Sequence, residues 1–187
     1  GNIIDTFLKQ NHVSTKYVYR YYSGKSTLAL AFLNENNDAS YDFYKIYPEK
    51  RLDVQFPQLK QDDIVLFGSF YAITLEVRQK LLEFIREANK SKAIVIYDPN
   101  FRKHHLHELP KLKPLILENM AHANIVRGSN EDFSFILGAD NADEAYQEVS
   151  KYCRNLLYTA NRQGVFVRSP KTSVTSPVMT IEPVSTI

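Results

Sequence analysis

The chain has 187 residues, a formal charge of +2, 44% apolar and 24% charged residues. That balance excludes a disordered chain, and the charge is too small to suggest a nucleic-acid or membrane surface. No apolar run reaches bilayer length, no signal peptide opens the chain, and the single cysteine, Cys153, cannot close an internal disulfide, so a reducing, cytoplasmic setting is expected.

In chain order, Ile3, Ile4, Phe7 and Leu8 fall at helical spacing and predict a short amphipathic helix to Gln10. From Tyr17 to Tyr47 the pattern turns to strands. Tyr17, Tyr19 and Tyr21 alternate, as do Leu28, Leu30 and Phe32. Asn34 to Asp38 reads as a polar turn, and Ser40 to Tyr47 as an aromatic strand with Tyr41, Phe43 and Lys45 on one face. Two readings stand for this aromatic sheet: it buries its only face, or it closes as a lid over a sugar. Gly24-Lys25-Ser26 has the ending of a phosphate-binding loop. Tyr19 occupies the place of the required earlier glycine, so a hairpin turn is expected instead.

From Gln61 strands and helices alternate. Ile64 to Phe67 predicts a buried strand ending at Gly68-Ser69. Thr74 is placed to cap a helix whose stripe is Val77, Leu81, Phe84, Ile85 and Ala88. Ala93 to Tyr97 is apolar without alternation, which predicts a parallel strand covered on both faces. Pro99 ends it, leaving Asp98, Asn100 and Arg102 past its carboxyl end, the edge where open α/β sheets bind ligands. Arg102 suits a carboxylate, a phosphate or sugar hydroxyls, and a capped turn with a surface arginine is an equal alternative. His104, His105 and His107 read as a solvated loop in preference to a metal site.

Leu109 to Met120 predicts a helix with Pro110 near its start, and Ala123 to Val126 a third strand. Ser129-Asn130-Glu131-Asp132 follows, either as a helix cap or as carboxylates holding Mg²⁺ through water. Asp132 to Leu137 and Ala142 to Cys153 are helical. Leu156 to Thr159 is a fourth strand. Thr159 to Gly164 is a hairpin turn or a nucleotide-contacting loop, and Val165 to Val167 and Val178 to Ile181 are edge strands. The alternation defines an α/β fold with a mainly parallel sheet. No Ser–His–Asp or Cys–His pattern is present, and no catalytic base is assigned by pattern.

Taken together and in order, these stretches resemble the ribokinase-like (PfkB) carbohydrate kinases, the fructokinase-like members most closely. Asp98-Pro99-Asn100-Phe101-Arg102 is similar to the Asp-Pro-Asn-Leu-Arg of those members. Phe43-Tyr44-Lys45 resembles the lid's Phe-Tyr-Arg. Ser129 and Asp132 stand at the Asn and Glu of Asn-x-x-Glu, and Asn161 at the middle glycine of Thr-x-Gly-x-x-Gly. The resemblance implies a Rossmann-type three-layer core formed by residues 1–15 and 48–187, with a β-strand lid at 16–47. It implies a sugar site at Phe43, Lys45, Gly68, Asn100 and Arg102, and ATP near Thr159, Asn161 and Gly164. Mg²⁺ would lie indirectly near Ser129 and Asp132, and a homodimer would form through the lid. It also implies truncation at both ends. The family's Gly-Gly sugar motif is not found after Gly1, and its Gly-Ala-Gly-Asp, carrying the catalytic base, would follow Ile187, with Ser185 replacing a frequent aspartate. An inactive fragment of an ATP-dependent sugar kinase is therefore expected. A non-catalytic sugar- or nucleotide-binding module is the alternative.

Overall fold

The structure, a computed structural model, describes residues 1–33, 39–47 and 51–179. The described residues divide into two compact units, one within residues 1–57 and the other within residues 58–179. The expected turn at Asn34 to Asp38 and the segment Val184 to Ile187 lie outside the described residues.

In the first unit, α1 (Asn2–Gln10) forms where the apolar spacing predicts, held on its polar side by an ion pair between Asp5 and Lys9. Strand β1 (Lys25–Leu33) pairs antiparallel with β2 (Ala39–Ile46), Ala29 opposite Phe43. The alternating tyrosines before them form no strand. Instead, the Tyr19 hydroxyl donates to the Gln55 carbonyl at 2.9 Å and accepts from the Gln55 N–H at 3.0 Å. Arg20 bonds Asn2 at 2.6 Å and pairs with Asp5 at 3.3 Å. Side-chain anchors to distant residues thus replace a ladder, and alternation alone did not distinguish the two. Gly24, at φ 81°, bends the chain into β1 and is not a turn between two strands.

In the second unit, six strands lie in sequential order: β3 (Ile64–Gly68), β4 (Ile94–Asp98), β5 (Ile125–Ser129), β6 (Leu156–Thr159), β7 (Val165–Arg168) and β8 (Ser173–Ser176). The first four are parallel; β7 and β8 add an antiparallel hairpin. The connecting helices are α2 (Leu75–Lys90), α3 (Leu109–His122), α4 (Asn130–Leu137) and α5 (Ala142–Val149). Right-handed crossovers between neighbours that all advance in one direction deliver every helix to the same face of the sheet.

Burial follows that rule. Val65, Phe67, Val95, Tyr97, Val126, Leu156 and Tyr158 are buried on the helical face. The alternate residues are not: Ile64 and Leu66 are 66% and 69% exposed, and Ile94 is 38% exposed. The expectation that the Ile64 and Ala93 runs are buried without alternation is thus corrected. A run of aliphatics permits burial on both faces without requiring it.

Helix α2 buries Val77, Leu81, Leu82, Ile85 and Ala88, with Phe84 half-buried. Thr74 stands at its N-cap, but its hydroxyl donates backward to the Phe70 carbonyl at 2.9 Å and caps nothing. Helix α5 stops at Val149, four residues before the expected end, and Cys153 is buried in the turn beyond, where burial pushes its thiol up. The last hairpin strand is Ser173–Ser176; Val178 lies outside it, and Thr180 and Ile181 lie outside the described residues.

One buried cation ties the turn after β3 to α3. Arg78 donates to the Ala72 carbonyl and to Asn119 Oδ1, each at 3.0 Å, and to the Leu115 carbonyl at 3.3 Å. It also pairs with Glu118, whose carboxyl is held below its ordinary value of 4.5 by that bond. A depressed carboxyl contributes stability that is complete above its unfolded value and is lost as pH falls through the folded one. Glu118→Gln is therefore expected to flatten the acid limb of urea-unfolding stability below about pH 4.5 while changing little at pH 7. An unchanged acid limb would contradict the assignment.

Candidate functional site at the carboxyl edge of the parallel strands

The parallel register aligns the ends of β3 to β6. Gly68 pairs with Asp98, Tyr97 with Val126, and Ser129 with Thr159. The polar residues that end each strand therefore form one row, although they are separated by about thirty residues in sequence each time.

The first corner is set by close backbone approach. A Cβ on Gly68 would lie 1.8 Å from the Asp98 carbonyl oxygen. Only glycine leaves that oxygen free to accept the Ser69 N–H at 2.8 Å. Gly68 is thus required by the turn itself. At the second corner Asp98 Oδ1 accepts the Asn100 N–H at 3.1 Å, forming a tight turn in which Asn100 takes φ 40°. Pro99 and Phe101 are buried while Asn100 and Arg102 are exposed, so the turn faces two polar side chains outward. Among the described residues the Arg102 guanidinium has no ion-pair partner.

Beyond it, the histidine segment is a 3-10 turn (Lys103–Glu108) and not a loop. His105 is half-buried, stacks on Phe70 at 4.1 Å and bonds Glu108 at 2.7 Å. No group of metal-ligating side chains occurs among the described residues.

The third corner is a capping box. Ser129 Oγ accepts the Asp132 N–H at 3.2 Å, and Asp132 Oδ2 accepts both the Ser129 N–H and its hydroxyl at 2.7 Å. Asp132 Oδ1 accepts the Phe101 N–H at 2.6 Å, which fastens the Asp98 turn to the start of α4. Asp132 is 4% exposed, and both its oxygens are taken by protein donors. That donor set does not fit direct Mg²⁺ ligation, since a cation would have to displace backbone amides. Beside it Gly128 makes room for the Phe133 ring, which would lie 2.8 Å from an added Cβ and stacks on Tyr158.

The fourth corner is the β6–β7 hairpin. The Thr159 hydroxyl donates to the Gly128 carbonyl at 3.3 Å. Asn161 takes φ 44° in a short 3-10 turn, and Gly164 takes φ 107°, where a Cβ would lie 2.4 Å from the Ser176 carbonyl. The turn geometry accounts for both residues. Phe43 and Lys45 sit together on β2 of the first unit, the ammonium 4.7 Å above the ring.

Pattern reading missed Arg127. Its Nη1 donates to Asp98 Oδ2 at 2.8 Å and its Nη2 to Thr159 Oγ1 at 3.2 Å. β5 was expected to end at Val126; the register that continues it through Ser129 is the signal that exposes Arg127.

The fold is of the ribokinase-like α/β class. The pfkB family carbohydrate kinase model matches residues 1–187, and the chain belongs to that family. It is similar to a probable fructokinase-4 of Arabidopsis thaliana, 24% identical over 77% of this chain and 45% of that protein. A fructokinase of Vibrio alginolyticus is 20% identical over 89% of this chain and 55% of that protein. The chain thus spans about half the length of these curated relatives. Among solved structures, the fructokinase of Vibrio cholerae O395 in fructose, ADP and calcium ion bound form superposes with a TM-score of 0.84 at 18% identity, covering 99% of this chain and 61% of that one. The aminoimidazole riboside kinase of Salmonella enterica, complexed with aminoimidazole riboside and an ATP analog, gives 0.80 at 17% identity over 98% and 61%.

Two substitutions test the corners. Gly68→Ala is expected to lower unfolding free energy by about 1–3 kcal/mol through overpacking against the Asp98 carbonyl. Asp132→Ala should cost more than Ser129→Ala, because it strands the Phe101 amide as well as removing half the box; about 1–3 against about 1 kcal/mol is expected in urea titrations. Equal losses would deny the link to Phe101.

Proposed function

We propose that the full-length protein transfers the γ-phosphate of ATP to a sugar hydroxyl, with fructose the first candidate, in the cytoplasm. The observation that carries the reading is the exposed pair Asn100 and Arg102, presented by a rigid turn at the carboxyl edge of a sheet of this family. Gly68, Asn100 and Arg102 serve the sugar at the sheet edge, and Phe43 and Lys45 are the sugar-binding candidates of the lid sheet. Thr159, Asn161 and Gly164 shape the nucleotide side. Mg²⁺, when bound, supplies charge neutralisation between the phosphates. Ser129 and Asp132 serve it only by holding the β5–α4 corner in place. The base that takes the hydroxyl proton lies outside residues 1–187 in this reading. The 16–47 lid, whose Leu28, Phe32, Tyr44 and Ile46 are exposed, pairs with a second copy.

The test is ADP release with ATP, Mg²⁺ and a panel of sugars. The full-length protein is expected to turn over, most strongly with fructose, while residues 1–187 alone remain silent for want of base and oxyanion donors. Arg102→Ala in the full-length protein should raise KM for the sugar about tenfold or more, with unfolding stability nearly unchanged at an exposed position. Binding of sugar or nucleotide without turnover in the full-length protein would replace this reading with the non-catalytic module. That second reading is favoured by Asp132 and Thr159, whose polar atoms are engaged within the protein. A monomeric mass for the full-length protein would remove the lid-mediated dimer.

A further inference from the structure

Arg127 stands on the middle strand of three. One neighbour carries the Asp98 turn, and the other ends in Thr159 at the entry to the hairpin loop. Its two terminal nitrogens point apart, Nη1 to Asp98 Oδ2 at 2.8 Å and Nη2 to Thr159 Oγ1 at 3.2 Å. The partners continue the chain of bonds on both sides. Asp98 Oδ1 accepts the Asn100 N–H. The Thr159 hydroxyl has one proton and gives it to the Gly128 carbonyl, so the lone pair facing Arg127 is the one it has to offer. A continuous line therefore runs from the Asn100 amide through Asp98, Arg127 and Thr159 to the backbone of β5.

Stability does not explain this arginine. Its side chain is 38% exposed and that of Asp98 25% exposed, and ion pairs of that exposure add little to folding. The same face of the sheet carries Ile96, Ile125 and Leu157, where an aliphatic residue would pack at no electrostatic cost. What the guanidinium provides is geometry: a planar fork that reaches two strands at once, which a lysine ammonium on a single flexible stem does not hold rigidly.

We propose that Arg127 is a positioning residue that locks the sugar-side turn, residues 98–102, to the nucleotide-side loop, residues 159–164, so that the two move as one edge. This rests on the kinase reading for what each side binds. It also leaves the Asp98 carboxylate neutralised beside a site meant for a polyanion.

The experiment uses the full-length protein with Arg127→Lys, Arg127→Met, Thr159→Val and the double variant Arg127→Lys/Thr159→Val. Hydrogen exchange is read first, because it needs no substrate. Arg127→Met is expected to speed amide exchange in both 98–102 and 159–164. Arg127→Lys, which keeps a charge for Asp98, should speed it in 159–164 alone. In kinetics, Arg127→Met should raise both KM values about tenfold; Arg127→Lys should raise KM for ATP by a similar factor and leave that for sugar nearly unchanged. The double variant should be no worse than Thr159→Val, since both remove the same bond. A fall in melting temperature with exchange in both segments unchanged would overturn the proposal, and so would additive effects in the double variant. If the wild-type protein phosphorylates no sugar, the kinase reading fails and the exchange pattern still decides the role of Arg127.

Discussion

The parallel register from β3 to β6 is the constraint on which the rest of the molecule depends. Each strand pairs with the next in sequence, so three right-handed crossovers place four helices on one face and four strand ends in one row. A one-residue slip would exchange the buried set, Val65, Val95, Val126 and Leu156, for the exposed set, and would turn Asp98 and Arg127 toward the helices. The same apolar packing that stabilises the sheet therefore fixes which side the polar row occupies. Nothing at the edge has to supply that choice.

Within the row, most polar groups are engaged with one another. Asp132 receives three donors, one from across a strand boundary, and Thr159 and Asp98 are bonded on both sides. A corner bonded this way has few free rotors, and preorganisation of that kind lowers the ordering cost of any ligand taken up beside it. It also divides labour. The bonded residues hold shape, and the side chains left pointing outward, Asn100 and Arg102 foremost, are the ones with donors to spare.

The fold was largely legible because helical spacing and aliphatic runs report it directly. The strand at Ile94 ended at its proline as expected, the helix of Val77 and Ile85 buried the expected stripe, and Ser129 with Asp132 capped α4. The failures share a cause: local pattern does not reveal partners. Tyr17, Tyr19 and Tyr21 alternate like a strand, yet a hydroxyl bond to Gln55 and a guanidinium bond to Asn2 hold that segment irregular. The Ala93 run carries no mark of which face stays open. Thr74 occupies a cap position, but its hydroxyl found the Phe70 carbonyl first.

The strand-end positions of the candidate site were legible, and the bonds made there were not. Gly68 and Gly164 stand where a ligand-approach argument would place them, yet each is already required by a carbonyl within 2.4 Å of its missing Cβ. Arg127 shows the reverse case. Followed by glycine and serine, it reads as the start of a loop, and its partners lie 29 and 32 residues away on either side. Only the pairing of β5 with both neighbours makes those partners adjacent. In a sheet of sequential parallel strands, a residue that bridges two strand ends belongs to the strand between them, and from sequence it looks like a surface arginine.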